Sequence, residues 1–264
     1  MFVTIINDCR DANEQGRQGT RVSTLFPNAN VTFMGINNFN EIEAAGNLVD
    51  VIDAATGEEG VILVNAAPRH GSGKKYPNGT PFGFFKHNKK IIASTIAGQT
   101  LSLAKKFGLI DKLYVTDIPT VLEKFVKDGK FEKDAKERTV LTQFRSYEYL
   151  PFMAKWVHDG EDVPAEEMSL DEIPDAPKTV WWVDNFGNSK TTMLPEEVDF
   201  APGKKIKTKV GEFTCYNRLK DIPNGEIGLI IGSSGYQNKR FLEIDIQGKS
   251  AAKELGLHSG IELF

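Results

Sequence analysis

Two short stretches of this 264-residue chain combine carboxylates, amides and glycines at spacings that could hold a polar ligand. In the first, Val183-Asp184-Asn185-Phe186-Gly187-Asn188-Ser189-Lys190-Thr191-Thr192, an apolar run ends in a carboxylate. It then passes an aromatic residue and a glycine and resumes after an amide. A strand-end Asp184 can accept from an ammonium group or a hydroxyl, and the Asn188 carboxamide can read a nucleobase edge through one donor and one acceptor. The same spacing also describes a plain β-turn holding Asp and Asn. The second stretch runs from Gly225 through Ile231-Gly232-Ser233-Ser234-Gly235-Tyr236 to Leu242-Glu243-Ile244-Asp245-Ile246 and Gly248-Lys249-Ser250-Ala251-Ala252. Metal chemistry is not indicated: Cys9 and Cys215 lack ligand spacing, and His70, His87, His158 and His258 are dispersed.

Together these stretches resemble the SAM hydroxide adenosyltransferases and the SAM-dependent fluorinases and chlorinases. That family has an Asp-x-Phe-Gly-Asn-x-x-Thr-Asn segment opening a C-terminal barrel, matched here by Asp184, Phe186, Gly187, Asn188 and Thr191. Its Asn-Ser-x-Gly-Tyr-Leu-Glu-Ile-Ala segment, leading into Gly-Ser-Ala-Ala, is matched by Ser233, Gly235, Tyr236, Leu242, Glu243 and Ile244, after an insertion spanning Gln237 to Phe241. Towards the N-terminus, Asn7-Asp8 stands where the family ends its first strand, Phe26-Pro27 echoes the exit from its first helix, and Thr95–Gln99 corresponds to its Asn-Asn-Gly-Leu loop. Phe144-Arg145-Ser146-Tyr147-Glu148 fits the halogenases' Phe-x-Ser-x-Glu.

The resemblance implies a site for S-adenosyl-L-methionine (SAM) or adenosine, with SAM as substrate and no separate cofactor. Asp8 would hold the ribose hydroxyls, and Asp184 and Ser233 the polar end of the methionine. Asn188 and the backbone near Ala251 would read the adenine edge, beside Phe186, and Tyr216 could stack on the base. Phe144 and Ser146 would line the C5′ side of the ribose. For Asp8 a solvated loop carboxylate, and for Tyr216 a barrel-core aromatic, are the readings that the residues alone allow. Family members are trimers whose sites are shared between subunits, so a homotrimer is expected.

The departures bear on chemistry. Hydrolytic members carry Val-Asp-Pro-Gly-Val-Gly, whose Asp works with a following Arg and a distant His to position water. Here the segment is Ala66-Ala67-Pro68-Arg69-His70-Gly71, with Ala67 in place of the Asp, Lys74 or Lys75 near the Arg position, and Phe144 or Arg145 where the His would fall. An alkyl side chain cannot orient or deprotonate water. Attack at C5′ of SAM needs an in-line, partly desolvated nucleophile more than it needs an acid, because the sulfonium is already a leaving group. His70 could orient that nucleophile and Arg69 offset its charge, with Ser146 nearby; a solvated loop is the other reading. The expected activity is adenosine-forming SAM hydrolysis, the alternatives being a catalytically silent SAM- or adenosine-binding protein and a SAM-dependent halogenase or lyase.

These residues need a scaffold that presents strand ends. Phe2–Asn7, Val31–Ile36, Gly60–Asn65, Lys90–Ser94 and Lys112–Thr116 read as strands. Gly19–Phe26, Glu41–Ala55, Thr100–Lys106 and Pro119–Lys127 read as helices. The alternation predicts a three-layer α/β domain over residues 1–157 with a mostly parallel sheet, where ligands bind at the strands' carboxyl ends. The acidic, proline-containing segment 158–178 reads as a linker. Short strands over 179–264, punctuated by Pro202-Gly203 and Pro223-Asn224-Gly225, predict a small β-barrel domain. A hydrophobic content of 40% supports a buried core, and a net charge of −4 gives no reason to expect nucleic acid. The alternating Lys204–Lys209 segment reads as a solvated strand face. The N-terminal apolar run lacks a basic flank and no stretch reaches membrane-spanning length, so a cytoplasmic protein without membrane contact is expected.

Overall fold

The structure, a computed structural model, describes residues 1–67 and 79–264. Over these the chain forms two compact units, Met1–Val51 with Ala55–Pro174, and Ile52–Ala54 with Asp175–Phe264.

The first unit opens with β1 (Phe2–Asn7), whose apolar run pairs in parallel with β2 (Asn30–Gly35) on one side and β3 (Gly60–Asn65) on the other. Between β1 and β2 lies α1 (Ala12–Leu25), which starts well before the apolar residues that suggest a helix. Asp11 explains this: its carboxylate caps the first turn, accepting from the N–H groups of Asn13 at 2.9 Å and Glu14 at 3.0 Å. After β2, α2 (Glu41–Ala54) buries Ile42, Ala45, Leu48, Val49 and Ile52, the helical stripe that its sequence predicts, together with Ala44.

Beyond β3 come β4 (Phe82–His87), β5 (Lys90–Thr95), α3 (Ser102–Lys106), β6 (Leu113–Thr116), α4 (Ile118–Lys127), α5 (Lys133–Leu141), α6 (Arg145–Glu148), α7 (Leu150–His158) and β7 (Glu166–Met168). The seven strands lie in the order β2-β1-β3-β5-β4-β6-β7. The first four are mutually parallel, but β4 is antiparallel to both β5 and β6, and β7 is antiparallel to β6. The sheet is therefore mixed, which corrects the expectation of a mostly parallel one. The cause is a tight hairpin at Asn88-Lys89, where Asn88 takes a left-handed φ of 53° and returns β5 directly beside β4. The acidic segment 158–178 contributes to this sheet through β7 and buries Val163 and Ile173. One face of the sheet places Val3, Ile5, Val61, Leu63, Ile91 and Ala93 in a core with residues of α1, α4 and α7. Alternation turns Ile6, Ile62, Val64 and Ile92, also buried, to the other face.

The second unit holds β8 (Val180–Val183), β9 (Ser189–Thr191), β10 (Lys205–Thr208), β11 (Gly211–Cys215), β12 (Ile227–Tyr236), β13 (Lys239–Ile246) and α8 (Ala251–Leu255). Their order is β10-β11-β12-β13-β9-β8, antiparallel except for the β11–β12 pair. Val180, Ile206, Phe213, Leu229, Leu242 and Ile244 form its core from one face of the sheet. In β10 the alternation is as expected, with Ile206 buried between exposed Lys205 and Lys207. Near the C-terminus, Leu263 donates to the carbonyl of Lys178 at 2.9 Å and accepts from the amide of Lys209 at 2.8 Å, tying both ends of the sheet to one segment. Among the described residues no helix is long and apolar enough to cross a membrane.

Candidate functional site

In the first unit the carboxyl ends of β1 and β3 converge on Asp8. Its Oδ2 accepts from the backbone N–H of Ala67 at 2.9 Å and of Phe39 at 3.0 Å, and Asn65 Nδ2 approaches Oδ1 at 3.4 Å. The residue is 8% exposed, so it is a buried fastener of three chain segments and not a solvated loop group. Beneath it a chain of amides locks the strand ends: Asn65 Nδ2 donates to Asn7 Oδ1 at 3.0 Å, and Asn7 Nδ2 to Gln18 Oε1 at 2.5 Å. The Asp8 contact holds Phe39 in a left-handed conformation, φ 63°, with the residue 45% exposed. A bulky residue at positive φ is costly and is a recognised mark of a functional position. Sequence reasoning passes over Phe39; the run Asn37-Asn38-Phe39-Asn40 signals only a turn.

Phe144 and Ser146 sit at the start of α6, where Ser146 is buried and the Phe144 ring stacks on Tyr147 at 5.4 Å. The Arg17 guanidinium lies 5.0 Å from the Phe144 ring centre and 4.5 Å from that of Tyr147. Among the described residues no hydrogen bond or ring contact joins Asp8 to Phe144 or Ser146. Arg69, His70 and Lys74 lie outside the described residues.

In the second unit the Asp184–Asn188 segment is a closed turn. Asp184 Oδ1 accepts from the N–H groups of Phe186 at 2.9 Å and Asn188 at 3.0 Å, while Oδ2 accepts from Asn188 Nδ2 at 3.0 Å. The motif is thus the turn that the plain reading of its residues describes. The Asn188 amide is pinned in one orientation, which leaves its Oδ1 and second N–H for a partner. Gly187 stands at φ 87°, and a side chain there would run into Ser250. The bare backbone instead lets the Gly187 carbonyl accept from the amide of Ala252 at 2.9 Å, docking the turn on the start of α8. Asn188 and Ala251 are thus brought together, next to a Phe186 that is 72% exposed.

The strand register places further residues beside this turn. Asp245 faces Gly228 on β12, and continuing the pairing of β13 with β9 by one residue sets it opposite Asn188. Gly228, Asp245 and Asn188 thus form one row on the sheet face away from the core, and the ring of Tyr216 packs over it, where a side chain at Gly228 would collide with Tyr216 and Ile222. Asp245 is 1% exposed, its Oδ1 has no hydrogen-bond partner among the described residues, and its carboxyl is pushed up to about 7. Burial contributes most of that shift, followed by the negative charges of Glu243 and Asp184. Sequence reasoning misses Asp245; the signal is an acidic residue alternating into Leu242-Glu243-Ile244-Asp245-Ile246, an otherwise apolar strand. Ser233 does not join the row. It is exposed at the bulge of β12, five residues beyond Gly228, roughly 16 Å along the strand at ~3.3 Å per residue.

Residues 178–263 match the family model of the SAM hydroxide adenosyltransferase C-terminal domain. The match covers the second unit and less than half of the chain. Two solved structures share the fold of the whole chain. A conserved protein from Thermotoga maritima, described as uncharacterized, is 15% identical with a TM-score of 0.71, over 100% of both chains. A conserved hypothetical protein from Thermus thermophilus is 17% identical with a TM-score of 0.64, over 100% of this chain and 99% of that one. No curated protein matches the chain.

Proposed function

We propose that the chain binds SAM, or adenosine derived from it, and that the base is read by the second unit. The observation that carries this is the Asp184–Asn188 turn docked on the start of α8, inside the stretch that is similar to a SAM hydroxide adenosyltransferase domain. The exposed Phe186 ring offers a face for stacking, and Asn188 Oδ1 with its remaining N–H matches the donor and acceptor of an adenine edge. Tyr216, packed over Gly228, is the second aromatic near Asn188's row. Asp8, for the ribose hydroxyls, and Ser233, for the methionine end, complete the set by resemblance. The same reading makes the second unit a small β-barrel closed through Leu263, and the assembly a homotrimer.

For chemistry, the proposal is hydrolysis. Water attacks C5′, the C5′–sulfur bond breaks with its electron pair going to sulfur, and adenosine, methionine and a proton result. His70 and Arg69 are the groups proposed to orient the water and offset charge, with Ser146 lining the C5′ side. One observation favours binding without turnover: Ala67 offers no side-chain group, and its N–H is already committed to Asp8 at 2.9 Å. Incubation with SAM, followed by chromatography, separates these readings. Adenosine supports hydrolysis; 5′-halo-adenosine or methylthioadenosine would replace it with halogenation or lyase chemistry. Bound but unchanged SAM would leave the binding module.

A further inference from the structure

The helical layer of the first unit carries a cavity of about 590 Å³ that opens to solvent, within the range of small-molecule sites. It is lined chiefly by Arg21, Lys130, Phe131, Arg138, Glu148 and Phe152, none of which the proposed SAM site uses. Two of its cations are paired, Lys130 with Glu161 at 2.5 Å and Arg138 with Glu148 at 3.4 Å.

Arg21 differs. Its guanidinium is held between rings, 4.5 Å from the centre of Tyr147 and 4.9 Å from that of Phe152, and donates to the Tyr147 hydroxyl at 2.9 Å. Among the described residues it has no carboxylate partner. A fixed guanidinium with donors to spare is suited to bidentate recognition of an anion. Glu148 presents the complementary feature. Its side chain is 12% exposed, Oε1 meets Arg138, and Oε2 is buried without a hydrogen-bond partner among the described residues. A buried carboxylate oxygen lacking a donor is costly, and a ligand ammonium group would supply one once the carboxyl turns towards the cavity. Phe131 and Phe152, with ring centres 5.2 Å apart and edge to face, form an apolar wall beside both charges.

An anion alone would leave Glu148 Oε2 without a donor, and a cation alone would meet Arg21; a molecule carrying both charges satisfies both. We propose that this cavity is a second binding site, for a zwitterionic amino acid with an apolar side chain. Its carboxylate sits on Arg21, its ammonium on Glu148, and its side chain against Phe131 and Phe152.

The test is calorimetry or saturation-transfer NMR on the full chain with saturating adenosine present, which keeps its outcome separate from that of the SAM site. L-Phenylalanine is expected to bind, while 3-phenylpropionate, lacking the amine, and phenethylamine, lacking the carboxylate, bind at least about tenfold more weakly. Arg21→Met and Glu148→Gln should each weaken L-phenylalanine by about the same factor, with Arg21→Lys in between. No binding of L-phenylalanine to the wild-type chain overturns the proposal, and this arm is independent of how any variant folds. Equal binding of 3-phenylpropionate or inorganic phosphate overturns the zwitterion assignment.

Discussion

The carbonyl of Gly187 accepts a hydrogen bond from the amide of Ala252 at 2.9 Å, so the turn that orients Asn188 and the start of α8 move as one piece. This contact depends on a residue without a side chain, because φ at Gly187 is 87° and Ser250 occupies the space a methyl group would take. Gly187→Ala should therefore destabilise the second unit by about 1–3 kcal/mol, from backbone strain and the displaced contact. Chemical denaturation would measure it, and an unchanged midpoint would show that the turn is not held as described.

Asp8 is expected to act on stability before it acts on any ligand. Asp8→Ala strips the N–H groups of Phe39 and Ala67 of their common acceptor and should cost on the order of 2 kcal/mol. Asp8→Asn, which keeps one acceptor oxygen, should cost less. Equal stability of all three proteins by urea denaturation would contradict the fastening role.

Asp245 predicts a pH dependence. Its folded-state pKa is raised from 3.8 to about 7, so between those values the folded chain holds a proton that the unfolded chain releases. Stability from this group is thus greatest below about pH 4, falls as pH rises, and reaches its full penalty of a few kcal/mol above about pH 7. Asp245→Asn should flatten that slope and stabilise the protein at pH 8. Parallel slopes for wild type and variant in thermal melts would refute this.

How much of this was legible in the sequence follows from which forces the sequence displays. β1 and β3 are buried on both faces and read as continuous apolar runs with the bounds that the structure gives. α5 (Lys-Asp-Ala-Lys-Glu-Arg-Thr-Val-Leu) has almost no apolar face and buries only Thr139, so no periodicity announces it. β7 is Glu-Glu-Met within an acidic stretch; pairing with β6 makes it a strand, and its own composition argues for a linker. α1 hides behind Gly16, Gly19 and polar residues until the Asp11 cap is seen. In the site, the Asp184–Asn188 turn was legible because the local motif specifies it, whereas its nearness to Ala251 was implied only by the family resemblance. Phe39, Asp245 and the distance of Ser233 from the turn were not, since strained φ, desolvation and strand register arise only when distant segments meet.

The most direct measurement of the central claim is calorimetry with adenosine and with SAM on three proteins: wild type, Asn188→Ala and Phe186→Ala. Phe186 is 72% exposed, so truncating it removes little packing and should leave stability unchanged. Losing a stacking face should nevertheless weaken binding by about 1–3 kcal/mol, and losing the Asn188 amide should weaken it by a similar amount. The account predicts that wild type binds both ligands and that both variants, still folded, bind roughly tenfold or more weakly. A folded wild type that binds neither ligand, or variants that bind as tightly as wild type, would contradict it.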